Sequence, residues 1–147
     1  MADARNRPDA AVIDYAAVAA FRSALRRFDQ ATSEITRRHG LTTRRYELLV
    51  MIHGAPGGSR NATVSELAER MHLALHTVTE LVARTERAGL VRRSVDSADR
   101  RVTRVRLTHE GEARLGETAA ALGPERQRLT RMLADVSQRA RSFGGAA

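Results

Sequence analysis

The chain contains no cysteine, no tryptophan and no lysine, so all 25 of its basic residues are arginine. Without cysteine, disulfides, thiol catalysis and thiolate metal sites are excluded. Aromatic residues make up only 3% of the chain, so most of them should be needed for the core. The longest apolar runs, at 15–21 and 48–52, are far too short to span a bilayer, and no signal-peptide pattern opens the chain. We therefore expect a soluble, cytoplasmic protein with no membrane partner.

The positive charge is unevenly distributed along the chain. The formal net charge is +8, but an arginine- and alanine-rich composition is also typical of high-GC codon usage. Residues 84–106 hold eight arginines against three acidic residues, whereas residues 61–83 hold one arginine against three acidic residues. A local excess of this kind favours a polyanionic partner, either nucleic acid or an anionic membrane face.

Long helical patterns flank the middle of the chain. Residues 1–10 are polar and predict a flexible arm. Apolar residues then recur at alternating spacings of three and four, which predicts a helix over 11–38 that stops at Gly40. Gly123 and Pro124 separate two further helices within 109–141, and residues 142–147 predict a flexible tail.

The central segment predicts a helix-turn-helix. A helix is expected after Thr42 or Thr43, although the run 48–52 could equally be a buried strand. Thr63 and Glu66 have the spacing of a capping box at the start of the next helix. Residues 72–74 then form a tight connection to a second helix that ends at Gly89.

A change of period from 3.6 to 2 follows Gly89. Residues 90–95 and 102–107 predict two strands joined by a polar turn at 96–101, and Thr108 caps the next helix. The expected fold is therefore mainly α with a small β-hairpin wing, because a helix-turn-helix followed by an arginine-rich hairpin is a winged helix.

Three stretches carry a resemblance to the MarR family of bacterial regulators: TVSELAERMHL (63–73), LVARTERAGLVRR (81–93) and DSADRRVTRVRLTHEGEARL (96–115). The resemblance implies a homodimer that binds a palindromic operator in double-stranded DNA, as a repressor released by a small aromatic or anionic ligand. It implies a dimerisation helix at 11–40, a winged helix-turn-helix lobe at 41–108 and C-terminal dimerisation helices at 109–141. Family recognition helices often carry arginine where this chain has Leu75 and Glu80.

The second helix of the motif is expected to read the major groove. His76 and Thr77 could bond to base edges, whereas Glu80 could either accept from cytosine N4 or pair with Arg84 four residues on. The predicted reading residues are Leu75, His76, Thr77, Glu80, Arg84 and Arg87.

The hairpin is expected to reach the minor groove or its phosphates, which attract arginine. Asp99 should orient Arg100 or Arg101, or pair with an arginine of the first lobe. Thr63 and Ser65 could contact a phosphate, cap their helix, or do both. The predicted wing residues are Arg92, Arg93, Asp99, Arg100, Arg101 and Arg104.

Ligand and dimer residues are predicted largely from the family analogy. The predicted ligand pocket comprises Phe28, His39, Arg45, Tyr46 and Met51. The predicted dimerisation residues are Val18, Phe21, Leu25, Leu129, Met132, Leu133 and Val136.

Two other classes of function fit the sequence less well. An architectural or partner-binding winged helix without ligand control is the alternative function. No nucleophile–base pair, phosphate loop or metal cluster stands out, so an enzyme and a cofactor are not expected. His72 and His76 have a spacing that suits a metal on one helix, but they straddle the predicted turn.

Overall fold

The computed structural model describes the backbone of residues 13–144 and the side chains of residues 13–139, so the predicted arm at 1–10 and the end of the predicted tail lie outside the described residues. The chain forms two compact units: residues 31–123, and a helical unit whose described residues are 13–30 and 124–144. In chain order the elements are α1 (Tyr15–Arg38), α2 (Thr43–His53), β1 (Asn61–Thr63), α3 (Val64–Met71), α4 (Leu75–Arg87), β2 (Val91–Val95), β3 (Thr103–Leu107), α5 (His109–Ala121) and α6 (Gly123–Gly144).

Hydroxyl caps fix where three of the helices begin. The Thr42 hydroxyl accepts from the Arg45 backbone N–H at 3.2 Å, and the Thr108 hydroxyl accepts from the Gly111 backbone N–H at 3.0 Å. Thr63 and Glu66 form a reciprocal capping box, with donor–acceptor distances of 3.1 and 2.8 Å. Since each cap satisfies N–H groups that a helix start leaves free, the predicted helix starts are confirmed.

The apolar run at 48–52 is helical. Leu48, Leu49 and Ile52 are fully buried on α2, so the strand alternative is excluded. Arg70 of α3 donates to the backbone carbonyls of Met51 and Gly54 at the end of α2, at 2.6 and 3.3 Å. These bonds satisfy carbonyl groups left free at a helix C-terminus and fasten α3 to α2.

The sheet has three antiparallel strands in the order β1-β3-β2, and not only the two strands of the predicted hairpin. In β1, Asn61 lies opposite Arg106 and Thr63 opposite Arg104 of β3. Three residues are too few to display a period of two, so the sequence pattern did not reveal β1. Its effect is to hold the winged sheet against the start of α3.

One apolar core unites α2, α3, α4, the sheet and α5. Its buried members include Leu67 of α3, Val78 and Val82 of α4, Val105 of β3 and Leu115 of α5. The core fixes the inner face of α4 and thereby determines which of its side chains point outward.

The helix α5 belongs to the winged unit, whereas the sequence grouped it with the dimerisation helices. Leu115 and Thr118 are buried there, and an added Cβ at Gly111 would lie 2.0 Å from the Leu90 carbonyl oxygen. Close packing on the segment before β2 therefore makes α5 part of this unit. The helix α6 runs to Gly144, so residues 142–144 are helical and correct the predicted start of the tail.

Candidate nucleic-acid interface

The helix α4 buries Val78, Val82 and Thr85 and leaves an opposite face exposed. All six residues predicted to read DNA lie exposed on it, including Leu75 at 55% exposure. The periodicity of the helix accounts for this division, because one side is fixed by the core. The exposed residues are Leu75, His76, Thr77, Glu80, Arg84 and Arg87.

Two contacts define the polar chemistry of this face. The Arg84 guanidinium lies 3.6 Å from the Glu80 carboxylate, so the ion-pair alternative for Glu80 is present. Both side chains are more than 60% exposed, and an exposed pair of this type contributes little to stability. Its weakness leaves both groups available to a partner.

The start of α4 has no side-chain cap. Ala74 stands at the N-cap position in an extended conformation, and no side-chain hydrogen bond satisfies the first N–H groups. His72 ends α3 in the left-handed conformation, with φ 52°. The turn thus separates His72 from His76, and the described residues contain no group of three or more potential metal ligands.

Asp96 organises the tip of the wing. Its carboxylate accepts from the backbone N–H groups of Ala98 and Asp99, at 2.7 and 3.1 Å, and from the Arg104 guanidinium. The hydrogen bond from Arg104, followed by those from the two N–H groups, lowers the pKa of Asp96 from 3.8 to about 2. Arg104 also donates to Asn61 Oδ1 at 3.2 Å, which ties the tip to β1.

Two further carboxylates hold wing arginines. Glu86 of α4 accepts from the Arg93 backbone N–H at 2.9 Å and from its guanidinium at 2.7–2.8 Å. The backbone bond and then the guanidinium lower the pKa of Glu86. Asp99 accepts two guanidinium bonds from Arg101, each at 3.1 Å, which lowers the pKa of Asp99.

The remaining predicted wing arginines differ in position. Arg101 is 91% exposed although Asp99 orients it. Within the part of the chain that the structure describes, Arg100 has no ion-pair or hydrogen-bond partner and is exposed at the tip. Arg92 lies opposite Arg106 in the register of β2 and β3, away from the tip.

Asp96, Asn61 and Glu86 are the site residues that the sequence did not single out. The run Asp-Ser-Ala-Asp at 96–99 has the composition of an Asx turn, and that signal could have identified Asp96. No local pattern links Glu86 to Arg93, because they lie on different elements that meet only when β2 packs beside α4.

The structure places the predicted phosphate contacts and the predicted pocket residues in different surroundings. Thr63 is engaged in its capping box and Ser65 is exposed in the first turn of α3. Arg45 lines a groove of about 310 Å³ between α2 and α4, together with Thr77, Glu80 and Arg84. Phe28 belongs to the other compact unit, so the complete predicted pocket is not assembled within one unit.

The comparisons with known proteins agree with this fold. A family model described as MarR family matches residues 39–102. The chain is 48% identical over 50 residues to YsmB, an uncharacterized HTH-type transcriptional regulator of Bacillus subtilis (strain 168), and the match covers 34% of each protein. The matched part is thus about a third of that relative's length.

Two solved structures extend the likeness over most of the chain. The first is AbsC, a MarR family transcriptional regulator from Streptomyces coelicolor, with 22% identity, coverage of 95% of this chain and 93% of that chain, and a TM-score of 0.72. The second is the M. tuberculosis transcriptional regulator MosR in complex with DNA, with 26% identity, coverage of 85% and 93%, and a TM-score of 0.60.

No described helix combines the length and apolar character needed to cross a membrane. The features that the chain shares with these regulators are the winged helix-turn-helix and the arginine-bearing hairpin. The chain is therefore similar to the MarR family of transcriptional regulators, through the family model over residues 39–102 and through the fold that it shares with AbsC.

Proposed function

We propose that the protein binds duplex DNA as a homodimer and represses transcription until a small ligand releases it. The observation that carries the proposal is the exposed face of α4 beside the wing, both anchored to one core. A cytoplasmic location is expected for this function. The alternative, an architectural winged helix, would lack preference for one operator.

The chemistry of the exposed face suits base recognition. His76 and Thr77 offer hydrogen-bonding groups to the major groove, and Arg84 and Arg87 can bind phosphate or guanine. At the wing, Arg100 and the oriented Arg101 can enter a narrow minor groove. The structural neighbour MosR was crystallised with DNA, which supports the same role here.

The helical unit supports the dimer. Among its described side chains, at 13–30 and 124–139, none is fully buried. Val18 and Leu133 are 46% and 42% exposed, and Phe21, Leu25 and Met132 are only partly covered. Apolar stripes that bury nothing completely within one chain require a second surface. A second copy would provide it and would pair two reading helices about one DNA turn apart.

The groove between α2 and α4 supports ligand control. A small molecule held there by Arg45 or Arg84 would occupy space beside Thr77 on the predicted reading face. Ligand and DNA would then compete for the same region of α4. The proposed release follows from preferential ligand binding to the DNA-free protein.

Selection of duplexes from a random pool, followed by footprinting, tests DNA binding. We expect two protected half-sites whose centres lie about 10 base pairs apart, or a multiple of that. Arg84→Ala should weaken operator binding roughly 5- to 150-fold, since a good base or phosphate contact contributes roughly 1–3 kcal/mol. Arg126→Ala removes the same charge from an exposed position on α6 and is the matched control. Equal affinity for every duplex would favour the architectural alternative.

Sedimentation equilibrium tests the dimer separately. Leu133→Glu should dissociate the dimer, whereas Leu75→Glu, at a comparably exposed leucine on α4, should leave it intact. A Leu133→Glu variant that sediments as a dimer, or a wild-type chain that sediments as a monomer, contradicts the proposal.

A further inference from the structure

An open cavity of about 360 Å³ lies on the winged unit, away from the groove between α2 and α4. Its walls come from the end of α2, the segment before β1, strands β2 and β3, and the start of α5. The charged and titratable residues that line it are His53, Arg60, Arg92, Arg106, His109 and Glu112. None of them belongs to the predicted ligand pocket.

Two of the three arginines that line this cavity have no carboxylate partner among the described residues. Arg92 and Arg106 lie directly opposite each other in the β2–β3 register, and like charges in that position repel. Neither guanidinium group has an ion-pair or hydrogen-bond partner among the described residues. Arg60 lies 3.9 Å from Glu112, the one carboxylate that lines the cavity.

Neighbouring strand arginines are treated differently by the fold. Arg93 and Arg104 are the next arginines along β2 and β3, and each is held by its own carboxylate, Glu86 or Asp96. The opposed pair in the cavity is therefore not explained by a general lack of acidic partners in the sheet. A concave site that holds unneutralised guanidinium groups is suited to an anion.

Two features of the cavity wall also favour ligand binding. The His53 Nδ1 is buried and has no hydrogen-bond partner among the described residues, so that ring atom is not committed to another protein group. Arg60 has φ 51°, a left-handed backbone that is uncommon outside glycine, and this conformation places Arg60 at the cavity. Strained residues of this kind tend to occur at binding sites.

We propose that this cavity binds a small oxyanion, a phosphorylated or carboxylate-bearing metabolite, between Arg92, Arg106 and Arg60. The planar guanidinium groups match the paired oxygens of phosphate and carboxylate. Its volume corresponds to a small ligand, since such pockets have roughly 300–1,000 Å³. The site goes beyond the proposed function and does not depend on DNA binding.

The geometry favours a small molecule over DNA at this position. Arg92 and Arg106 are three residue pairs from Val95 and Thr103 at the wing end of the hairpin, or roughly 10 Å along the strands. The arginines also line a cavity of about 360 Å³, which has the size of a small ligand and is too small to admit a duplex. The predicted wing contact of Arg92 is thus better assigned to this anion site.

Titration calorimetry of the full-length chain, without DNA and at constant pH and ionic strength, tests the site. Inorganic phosphate and succinate are the two probes, and chloride is the reference anion. We expect saturable binding of at least one probe. The probe that binds more tightly indicates whether the natural ligand is phosphorylated or carries carboxylates. Arg92→Gln and Arg106→Gln should each weaken it at least tenfold. Arg100→Gln makes the same charge change at the wing tip and should leave the binding constant within twofold.

Thermal unfolding separates a binding role from a structural one. In chloride, Arg92→Gln should unfold at the same temperature as the wild type or a higher one, because it removes a repulsive pair. The rise in unfolding temperature that the bound anion causes should be lost in this variant and retained in Arg100→Gln.

Four results would overturn the proposal. The first is the absence of saturable binding of both probes, and the second is equal weakening by Arg100→Gln. The third is a lower unfolding temperature of Arg92→Gln in chloride, which would assign a structural role to the pair. The fourth is a loss of DNA affinity in Arg92→Gln without loss of anion binding, which would assign the cavity arginines to the DNA contact.

Discussion

Replacing Gly111 with alanine should destabilise the winged unit, although alanine favours a helix. Gly111 lies in the first turn of α5, and an added Cβ would lie 2.0 Å from the Leu90 carbonyl oxygen and 3.0 Å from its carbon. Cβ atoms essentially never approach other atoms within 3.0 Å, so the helix or the Leu90 peptide must move by about 1 Å.

The bonds at this contact set the size of the effect. The Thr108 N–H donates to the Leu90 carbonyl at 3.0 Å, and its hydroxyl donates to the Gly89 carbonyl at 2.6 Å. The same hydroxyl accepts from the Gly111 N–H and caps α5. Each bond contributes about 0.5–1.5 kcal/mol net, and alanine recovers about 1 kcal/mol of helix propensity. We expect Gly111→Ala to lower the free energy of unfolding by roughly 1–3 kcal/mol.

Gly116→Ala is the matched control in the same helix, because nothing lies within 4 Å of its added Cβ. It should raise the free energy of unfolding by up to about 1 kcal/mol. Urea unfolding at one fixed protein concentration measures both, since a dimer's stability depends on concentration. If both variants shift stability in the same direction, the close approach of α5 to Leu90 does not control the packing.

Three other predictions concern the interface. Arg100→Ala should reduce the slope of the logarithm of DNA affinity against the logarithm of salt concentration by roughly one. An unchanged slope would show that Arg100 does not contact a phosphate. The pKa of Asp96 falls from 3.8 to about 2, so its bonds to Arg104 and the turn stabilise the wing above about pH 4 and are lost as the pH falls toward 2. The Ala98 amide proton, followed by NMR, should shift with a midpoint near 2, and a midpoint near 3.8 would contradict the Asp96 network. Ala74→Ser should stabilise the protein by about 1 kcal/mol in urea unfolding, because no side-chain hydrogen bond caps the start of α4, and a loss of stability would show that a serine cannot adopt the cap geometry there.

Local signals in the sequence predicted much of the fold. The Thr63–Glu66 capping box and the Thr108 cap mark helix starts through bonds that span three residues, so their spacing is visible in one chain segment. Gly40 and Gly89 have φ of 71° and 75°, which explains why glycine marks these connections. The exposed face of α4 was equally predictable from the sequence, because it follows from helical periodicity.

Features that depend on contacts between distant segments were not predictable. The strand β1 is recognisable only through its pairing with β3, more than 40 residues away. The buried His53 Nδ1 and the opposed Arg92–Arg106 pair likewise require the sheet and α5 to be assembled. The packing of α5 within the winged unit was also not predictable, because the close approach of Gly111 to Leu90 leaves no local pattern. The role of α5 in dimerisation stays a prediction.

The distribution of paired and unpaired arginines gives the local charge excess a more specific meaning. In 84–106 the three acidic residues Glu86, Asp96 and Asp99 each hold one wing arginine, so they fix the hairpin's shape as well as lowering its charge. The arginines of the hairpin that have no carboxylate partner among the described residues then separate into Arg100 at the tip and the Arg92–Arg106 pair at the base. Since a rigid hairpin keeps these groups roughly 10 Å or more apart, one basic segment can present two anion-binding surfaces. One of them faces a proposed DNA partner and the other a small ligand, and their responses to charge-matched substitutions should therefore be independent.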